Sequence, residues 1–379
     1  MELLLDCARA RFDSSKVCRP NASIDWQKVI SMAMRHRVLP ILHQQLESGM
    51  DGVPEPVRAK LQDLYLSNAG RNIARTAELL RLLRMFKSQG LSVMSFRGPV
   101  LAESLYGDTA LRQFSDLDLL IQSNDVVSVS KILVSDGYEP HFQLNERQEQ
   151  ALIRFRTERC FIRSADQLTV DLHWRLLPKP FAFEDSDALW IRCVRITVQG
   201  SELLTLADED MVLFLCIHGA KHGWDQLALL CDLVEMMRAR PNLNWDEILR
   251  RAQKAGKRRM VVVGLLLIDE LLGVPVPDPV RKGAEDRVAR QLVDELKGRL
   301  LGNVGVQEGG GGRKWLIAWR MLEGCLDRLA YAADLMVVPT GIECERMNLP
   351  RPLFFLYYLL RLGRMVGKVF SRRSARQES

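Results

Sequence analysis

Residues 95–121 read SFRGPVLAESLYGDTALRQFSDLDLLI, and their pattern sets the expectations for the rest of the chain. Asp116 and Asp118 flank Leu117, and an apolar run, Leu119–Ile121, follows them. Alternate residues of a strand point to the same face, so we expect the two carboxylates to project together beside a buried strand. Two like charges held so close repel each other unless a cation lies between them. The spacing therefore predicts a site for Mg²⁺, with Mn²⁺ as a substitute.

A third carboxylate is expected from residues 168–174, which read LTVDLHW. Asp171 stands in an apolar strand pattern, where a lone carboxylate is costly unless it has a partner. If this strand lies beside the first, three carboxylates converge and could hold two metal ions about 3.5–4 Å apart for phosphoryl transfer. We expect His173 to point to the opposite face of the strand and to be structural. For Asp116 and Asp118 the alternative is a role as strand or helix caps.

The surrounding residues 88–205 predict a mixed unit of short strands and helices, of the α/β or α+β class. Turn residues separate the apolar runs, as they do in hairpins and in strand–helix junctions. The strands are expected at Leu91–Phe96, Leu117–Ile121, Leu152–Ile162, Gln167–Trp174, Val194–Val198 and Glu202–Leu204.

The rest of the chain is predicted to be helical, because its apolar residues recur at helical spacing. Residues 303–312, NVGVQEGGGG, form the clearest linker. We therefore divide the chain into five segments. These are an N-terminal helical region 1–87, a catalytic domain 88–205, a helical domain 206–302 that completes the cleft, the linker 303–312 and a C-terminal helical region 313–379.

Composition indicates a globular protein of 379 residues with a mild basic excess, a net charge of +6. Such an excess suits a protein that handles nucleotides without requiring it. The eight cysteines include no CxxC pair, and the first residues lack a signal-peptide pattern. No stretch of 18 uncharged apolar residues is present. We therefore expect a cytoplasmic protein with reduced thiols.

The C-terminal tail is expected to form an apolar helix over Pro352–Phe370 with interspersed cations. One interpretation is a terminal helix packed on the preceding domain. The other is a helix that lies on an anionic membrane through residues 351–373, which would make the protein membrane-associated.

The run FRGPVLAESLYGDTALRQFSDLDLLI resembles the signature of an uncharacterised bacterial nucleotidyltransferase family related to the polymerase-beta superfamily. The later segments DLHW and HGAKHGW…LCDL resemble it too, and the similarity spans roughly residues 30–300. The resemblance implies the minimal nucleotidyltransferase fold, an α+β fold with a small mixed sheet and packed helices. It also implies binding of a nucleoside triphosphate with Mg²⁺ and transfer of its nucleoside monophosphate to an acceptor.

The resemblance places Arg97-Gly98-Pro99 where the superfamily commonly has Gly-Ser to contact the triphosphate. Arg97 keeps a cation at a position where this family more often has Lys. Gly98 would let the backbone approach the phosphates, and the helix that follows favours anions. A helix-entry glycine is the alternative for Gly98. We also expect Arg112 to contact the triphosphate, the alternative being a solvent-exposed loop arginine.

Residues 218–222, HGAKH, place two histidines one helical turn apart. The zinc-protease motif requires Glu after the first His, and here it is Gly219. We expect this helix end to face the cleft, with Lys221 near a phosphate and His222 orienting the acceptor; a packing helix is the alternative. Asp232 is expected either to hydrogen-bond one of these groups or to lie on a helix surface.

The predicted reaction joins a nucleoside monophosphate from an NTP, most simply ATP, to an acceptor and releases pyrophosphate. Asp116 and Asp118 would bind both metal ions, and Asp171 would complete the acceptor-side ion and help to deprotonate the acceptor. The acceptor could be a small hydroxylated molecule, a protein side chain or an RNA end. The alternative function is a non-catalytic nucleotide-binding or scaffold protein that keeps the fold.

Overall fold

A computed structural model of the chain describes residues 1–13, 24–47, 52–281, 286–302 and 311–365. The strands within this part are β1 (Met94–Ser95), β2 (Asp116–Leu120), β3 (Glu139–Pro140), β4 (Glu158–Arg163), β5 (Leu168–His173), β6 (Val194–Val198) and β7 (Ser201–Thr205).

Helices make up most of the remaining described residues. Up to residue 192 they are α1 (Glu2–Phe12), α2 (Trp26–Arg35), α3 (Leu39–Glu47), α4 (Glu55–Ser88), α5 (Pro99–Tyr106), α6 (Val126–Ser135), α7 (Glu146–Phe155) and α8 (Ser186–Arg192). After it come α9 (Asp208–His222), α10 (Leu227–Ala239), α11 (Trp245–Lys254), α12 (Arg258–Leu272), α13 (Asp278–Arg281), α14 (Arg287–Leu300), α15 (Gly311–Met321), α16 (Cys325–Met336) and α17 (Gly341–Arg346).

The chain forms two compact units, each discontinuous in sequence. The first unit contains residues 1–83, 95–115 and 183–323, and the second contains residues 84–94, 116–182 and 324–379. These units cut across the five consecutive segments expected from the sequence, because residues distant along the chain pack together in each. That segmentation stays a prediction, and its linker lies outside the described residues over 303–310.

The second unit holds a mixed sheet in which β2 pairs in parallel with β5, while β5 and β3 each pair antiparallel with β4. Leu117 and Leu119 are fully buried on one face of β2, as the alternating pattern requires. Val126, Val129 and Leu133 bury one side of α6 at helical spacing. Together with its many helices, this mixed sheet confirms the predicted α+β class.

The first unit is mainly helical, with the antiparallel hairpin β6–β7 at the predicted place. Its core includes α9 and α12, which are buried along most of their length. Gly219 of α9 and Gly264 of α12 make room for the Trp224 indole, because a Cβ on either would lie 2.5 and 2.7 Å from that ring. The HGAKHGW segment therefore has a packing role at the end of α9.

One strand assignment from the sequence is wrong. Residues 152–155, predicted to begin a strand, belong to α7, and β4 begins only at Glu158. Asn145 and Gln148 form a capping box that starts this helix. The cap satisfies backbone donors that a strand would have paired with a neighbour, so the helix is locally favoured.

The C-terminal tail is helical over residues 356–365, after a short 3-10 turn at Arg351–Leu353. The end of the predicted helix, residues 366–370, lies outside the described residues. Among the helices that the structure describes, none combines the length and apolarity needed to cross a membrane.

Candidate active site

The three candidate carboxylates lie on two neighbouring parallel strands of the second unit. In the pairing of β2 with β5, Asp118 stands opposite Asp171, and Asp116 stands opposite Thr169. Asp116 and Asp118 are two residues apart on β2 and so share a face. The expected convergence of strands therefore occurs, and it brings Asp171 beside Asp118.

The pKa of Asp171 reflects the nearness of the other two aspartates. Burial and then the charge of Asp118 raise the pKa of Asp171 from 3.8 to about 6, and Asp116 adds to the effect. The thiol of Cys160, opposite Asp171 in the pairing of β4 with β5, donates a hydrogen bond to that carboxylate. Burial and the charge of Asp171 raise the pKa of Cys160 to about 12, so the thiol stays protonated and remains a donor.

His173 joins the carboxylates, which corrects the expectation that it points to the opposite face. It is two residues beyond Asp171 and so lies on the same side of β5. Its Nε2 is 3.3 Å from Oδ1 of Asp118, and its Nδ1 is 3.2 Å from Oε2 of Glu158. Burial opposes the charged ring, but the hydrogen bond to Asp118 and the charge of Glu158 outweigh it and raise the pKa of His173. When protonated, the imidazole ring therefore offsets part of the negative charge of the cluster.

The carboxylate chemistry fits a hard divalent cation, since oxygen ligands of like charge are gathered at one place. In the described part of the chain, no three His, Cys, Asp or Glu side chains are arranged as a ready set of metal ligands. The carboxylate of Asp118 contacts His173, and that of Asp171 contacts Cys160. His173 and Cys160 are therefore the groups of the protein itself that orient these two carboxylates.

The residues expected to bind nucleotide belong to the first unit. Gly98 precedes α5 with φ +54° and ψ −120°, a backbone conformation that favours glycine. Loss of solvent contact and then the charge of Arg97 hold the pKa of His218 well below its usual range, and Lys221 adds to this effect. The ring centroids of His218 and His222 are 4.5 Å apart. Burial and then the charge of Lys221 also lower the pKa of His222, to about 4. The charges of Arg97 and Lys221 therefore act on two neutral imidazoles, those of His218 and His222.

Arg112 lies in a buried environment. It is 8% exposed, so the alternative of a solvent-exposed loop arginine is wrong. Its Nε and Nη2 donate to the two carboxylate oxygens of Asp232 at 2.9 and 2.8 Å. The hydroxyl of Tyr106 donates to the same carboxylate at 2.8 Å. Asp232 is thus buried, which rules out the helix-surface interpretation, while triphosphate contact by Arg112 stays a prediction.

Two asparagines that the sequence did not single out support the loop of Arg112. Asn72 of α4 donates its side-chain amide to the backbone carbonyl oxygens of Thr109 and Arg112, each at 2.7 Å. Asn68, one helical turn earlier, donates to the carbonyl of Ala110 at 3.0 Å. These contacts fix the backbone of residues 109–112 against α4. In the sequence, the one signal for this role was the spacing of the two asparagines, which lie one turn apart on a predicted helix.

A family model described as uncharacterised nucleotidyltransferase matches residues 22–273 of the chain. Comparison with curated protein sequences gives no match. Among solved structures, the chain is similar to a lincosamide antibiotic adenylyltransferase, LnuA, in its lincomycin-bound form. That similarity has a TM-score of 0.31 and 13% sequence identity, and it covers 43% of this chain and 96% of the other. A likeness of this size says nothing about the acceptor of the present protein.

Proposed function

The chain belongs to the uncharacterised nucleotidyltransferase family and is a nucleotidyltransferase with a nucleotide substrate; from this premise we propose the reaction and the residues that carry it. The enzyme transfers a nucleoside monophosphate from an NTP, ATP being the first candidate, to an acceptor hydroxyl and releases pyrophosphate. The observation that carries the assignment is the register of β2 with β5, which sets Asp118 opposite Asp171 beside Asp116.

Asp116 and Asp118 are the residues that would hold two Mg²⁺ ions, and Asp171 would complete the ion on the acceptor side. When bound, such ions stabilise the charge that develops on the attacking and leaving oxygens. Mn²⁺ offers similar oxygen-ligand chemistry and could replace Mg²⁺.

In the bond-making step, the acceptor oxygen attacks the α-phosphorus, and the bond from that phosphorus to the bridging oxygen of pyrophosphate breaks. The proton of the acceptor hydroxyl passes to Asp171. Asp171 is the candidate for this proton because it stands on β5 opposite Asp118 and so beside the other proposed metal ligands. Arg97, Lys221 and His222, with the backbone at Gly98, are the proposed nucleotide contacts.

A pyrophosphate-release assay tests the reaction. The protein is incubated with each NTP, with and without Mg²⁺, in the presence of a lysate of its source cell that supplies acceptors. We expect Mg²⁺-dependent pyrophosphate release and, with an NTP labelled at the α-phosphate, a labelled acceptor whose class can then be identified. Folded protein that releases no pyrophosphate with any NTP would instead support the non-catalytic binding or scaffold function.

His173 is proposed as the positioning residue for Asp118, because it is within hydrogen-bonding distance of that carboxylate and also meets Glu158. His173→Ala is expected to lower kcat and to raise the Mg²⁺ concentration needed for half-maximal rate, each by about 10–100-fold, as for other partners of metal ligands. His173→Gln should recover part of the loss, since its amide can still donate to Asp118.

Metal affinity measured by Mn²⁺ titration calorimetry separates this role from a merely structural one. Glu158→Gln is the matched control, because it keeps a hydrogen-bonding group at the far side of the ring and removes only the charge. We expect a smaller change for this control than for His173→Ala. Unchanged Mn²⁺ affinity in a folded His173→Ala protein would refute the positioning role.

A further inference from the structure

An exposed apolar face runs along α16 in the second unit. Leu326, Leu329 and Met336 are 82%, 64% and 54% exposed, and their spacing places them on one side of the helix. The opposite side is anchored by Tyr331, whose ring packs edge-on against Phe181 with centroids 5.2 Å apart. The helix is therefore fixed to its unit by one face while its apolar face lies open.

The C-terminal segment has the same construction. Phe355, Leu359 and Leu362 are exposed and follow helical spacing, i, i+4 and i+7. Phe354 and Tyr357 are buried, and both pack on Phe155 of α7. The packing interpretation of the tail thus holds for one face of the segment, and the other face remains open.

The two open faces lie on neighbouring elements. Arg361 of the C-terminal segment donates a hydrogen bond from Nη2 to the backbone carbonyl of Leu335, near the end of α16, at 3.0 Å. Exposed apolar groups on adjacent helices of this kind mark interaction surfaces more often than scattered single residues do. We call the six residues Leu326, Leu329, Met336, Phe355, Leu359 and Leu362 the apolar face.

The net charge of the C-terminal residues indicates what kind of partner the apolar face would bind. The chain beyond the described residues carries Lys368, Arg372, Arg373 and Arg376 against a single acid, Glu378. We propose that the apolar face docks on the surface of an anionic phospholipid bilayer, to which the net positive charge of the sequence after residue 365 attracts the chain. Apolar side chains inserted at the interface together with nearby cations are the combination that gives stable peripheral binding. A second copy of the chain fits less well, because pairing the two faces would bring two basic tails together.

Co-sedimentation with vesicles tests this proposal on the full chain, independently of the transfer reaction. Vesicles of phosphatidylcholine alone are compared with vesicles that also contain phosphatidylglycerol. We expect binding only to the anionic vesicles and its loss in high salt. Lys368→Gln/Arg372→Gln/Arg373→Gln should weaken binding about a hundredfold, since each cation near the surface contributes about fivefold.

The apolar contribution is tested with Leu329→Glu/Leu359→Glu. This variant should fail to sediment with anionic vesicles while keeping its melting temperature, because both side chains are exposed. Ile191→Glu is the control, an 84% exposed apolar residue of the first unit, and it should bind as the unaltered chain does.

The proposal is overturned if the protein stays in the supernatant with both vesicle types, or if the control loses binding equally. Dimerisation in sedimentation velocity that Leu329→Glu/Leu359→Glu abolishes, without vesicle binding, would assign the face to a second copy.

Discussion

Replacing Asp171 by Asn is expected to lower nucleotide transfer by at least about a hundredfold, the loss usual when a group that stabilises transition-state charge is removed. The same variant should melt at a higher temperature than the unaltered protein when both are free of metal and at alkaline pH. Asp116→Asn and Asp118→Asn should lose transfer to a similar extent. An active-site substitution that abolishes activity and yet stabilises the fold is the signature of carboxylates kept together for function.

The sign of the stability effect follows from the pKa of Asp171. Its value is about 6 in the folded chain against an ordinary 3.8, so the folded state holds this proton more tightly than the unfolded state does. The contribution of the carboxyl group to folding is fully present below pH about 4 and is lost as the pH rises through about 6. Asn carries no such charge, so the stability gained by the substitution appears only above that pH range and amounts to about 3 kcal/mol.

Thermal melting across pH and pyrophosphate release measure the two effects on the same preparations. Asp166→Asn is the control, an exposed carboxylate in the turn between β4 and β5 that pairs with Arg163. It should leave transfer unchanged and should not stabilise the protein. Near-normal transfer by Asp171→Asn would show that the metal assignment is wrong. A lower melting temperature at alkaline pH would show that this carboxylate is structural.

The parts of the site that are close in sequence were predictable from the residues alone. The alternation in DLDLL gave β2 within one residue of its observed bounds, and the apolar pattern around Asp171 gave β5 equally well. Period-two alternation is a local signal that also fixes which side chains share a face. The same rule, applied to the two-residue step from Asp171 to His173, places the imidazole beside the carboxylates.

Long-range contacts explain most of what the sequence could not predict. Arg112 and Asp232 are 120 residues apart, and neither local pattern shows that the two side chains meet in a buried pair. The discontinuous units have the same cause, because tertiary packing joins segments that the chain order separates. The missed helix α7 differs, since the capping residues Asn145 and Gln148 were a readable local signal.

Arg112→Ala is expected to destabilise the protein by about 3–5 kcal/mol, the usual result of leaving one partner of a buried ion pair without the other. The carboxylate of Asp232 would stay buried, and of the two residues described above that donate to it only Tyr106 would remain. Arg112→Met/Asp232→Leu, made in a Tyr106→Phe background so that no buried hydroxyl loses its acceptor, should recover most of the loss, because an apolar pair of similar volume has no charge to desolvate. Equilibrium urea unfolding measures both free energies.

The matched control is Lys131→Ala, which breaks the exposed pair with Glu146 and should cost less than about 1 kcal/mol. If Arg112→Ala costs no more than this control, the buried pair does not hold the fold.

The double variant also distinguishes a structural role of Arg112 from a role in substrate binding. With stability recovered, an unchanged KM for the NTP would show that Arg112 acts only through the fold. A KM raised about tenfold or more, at recovered stability, would show that Arg112 also contacts the triphosphate, since a charge-assisted hydrogen bond is worth about 1.5–3 kcal/mol. This comparison decides between the two roles because the apolar pair removes the cation while leaving the packing of α5 against α10 in place.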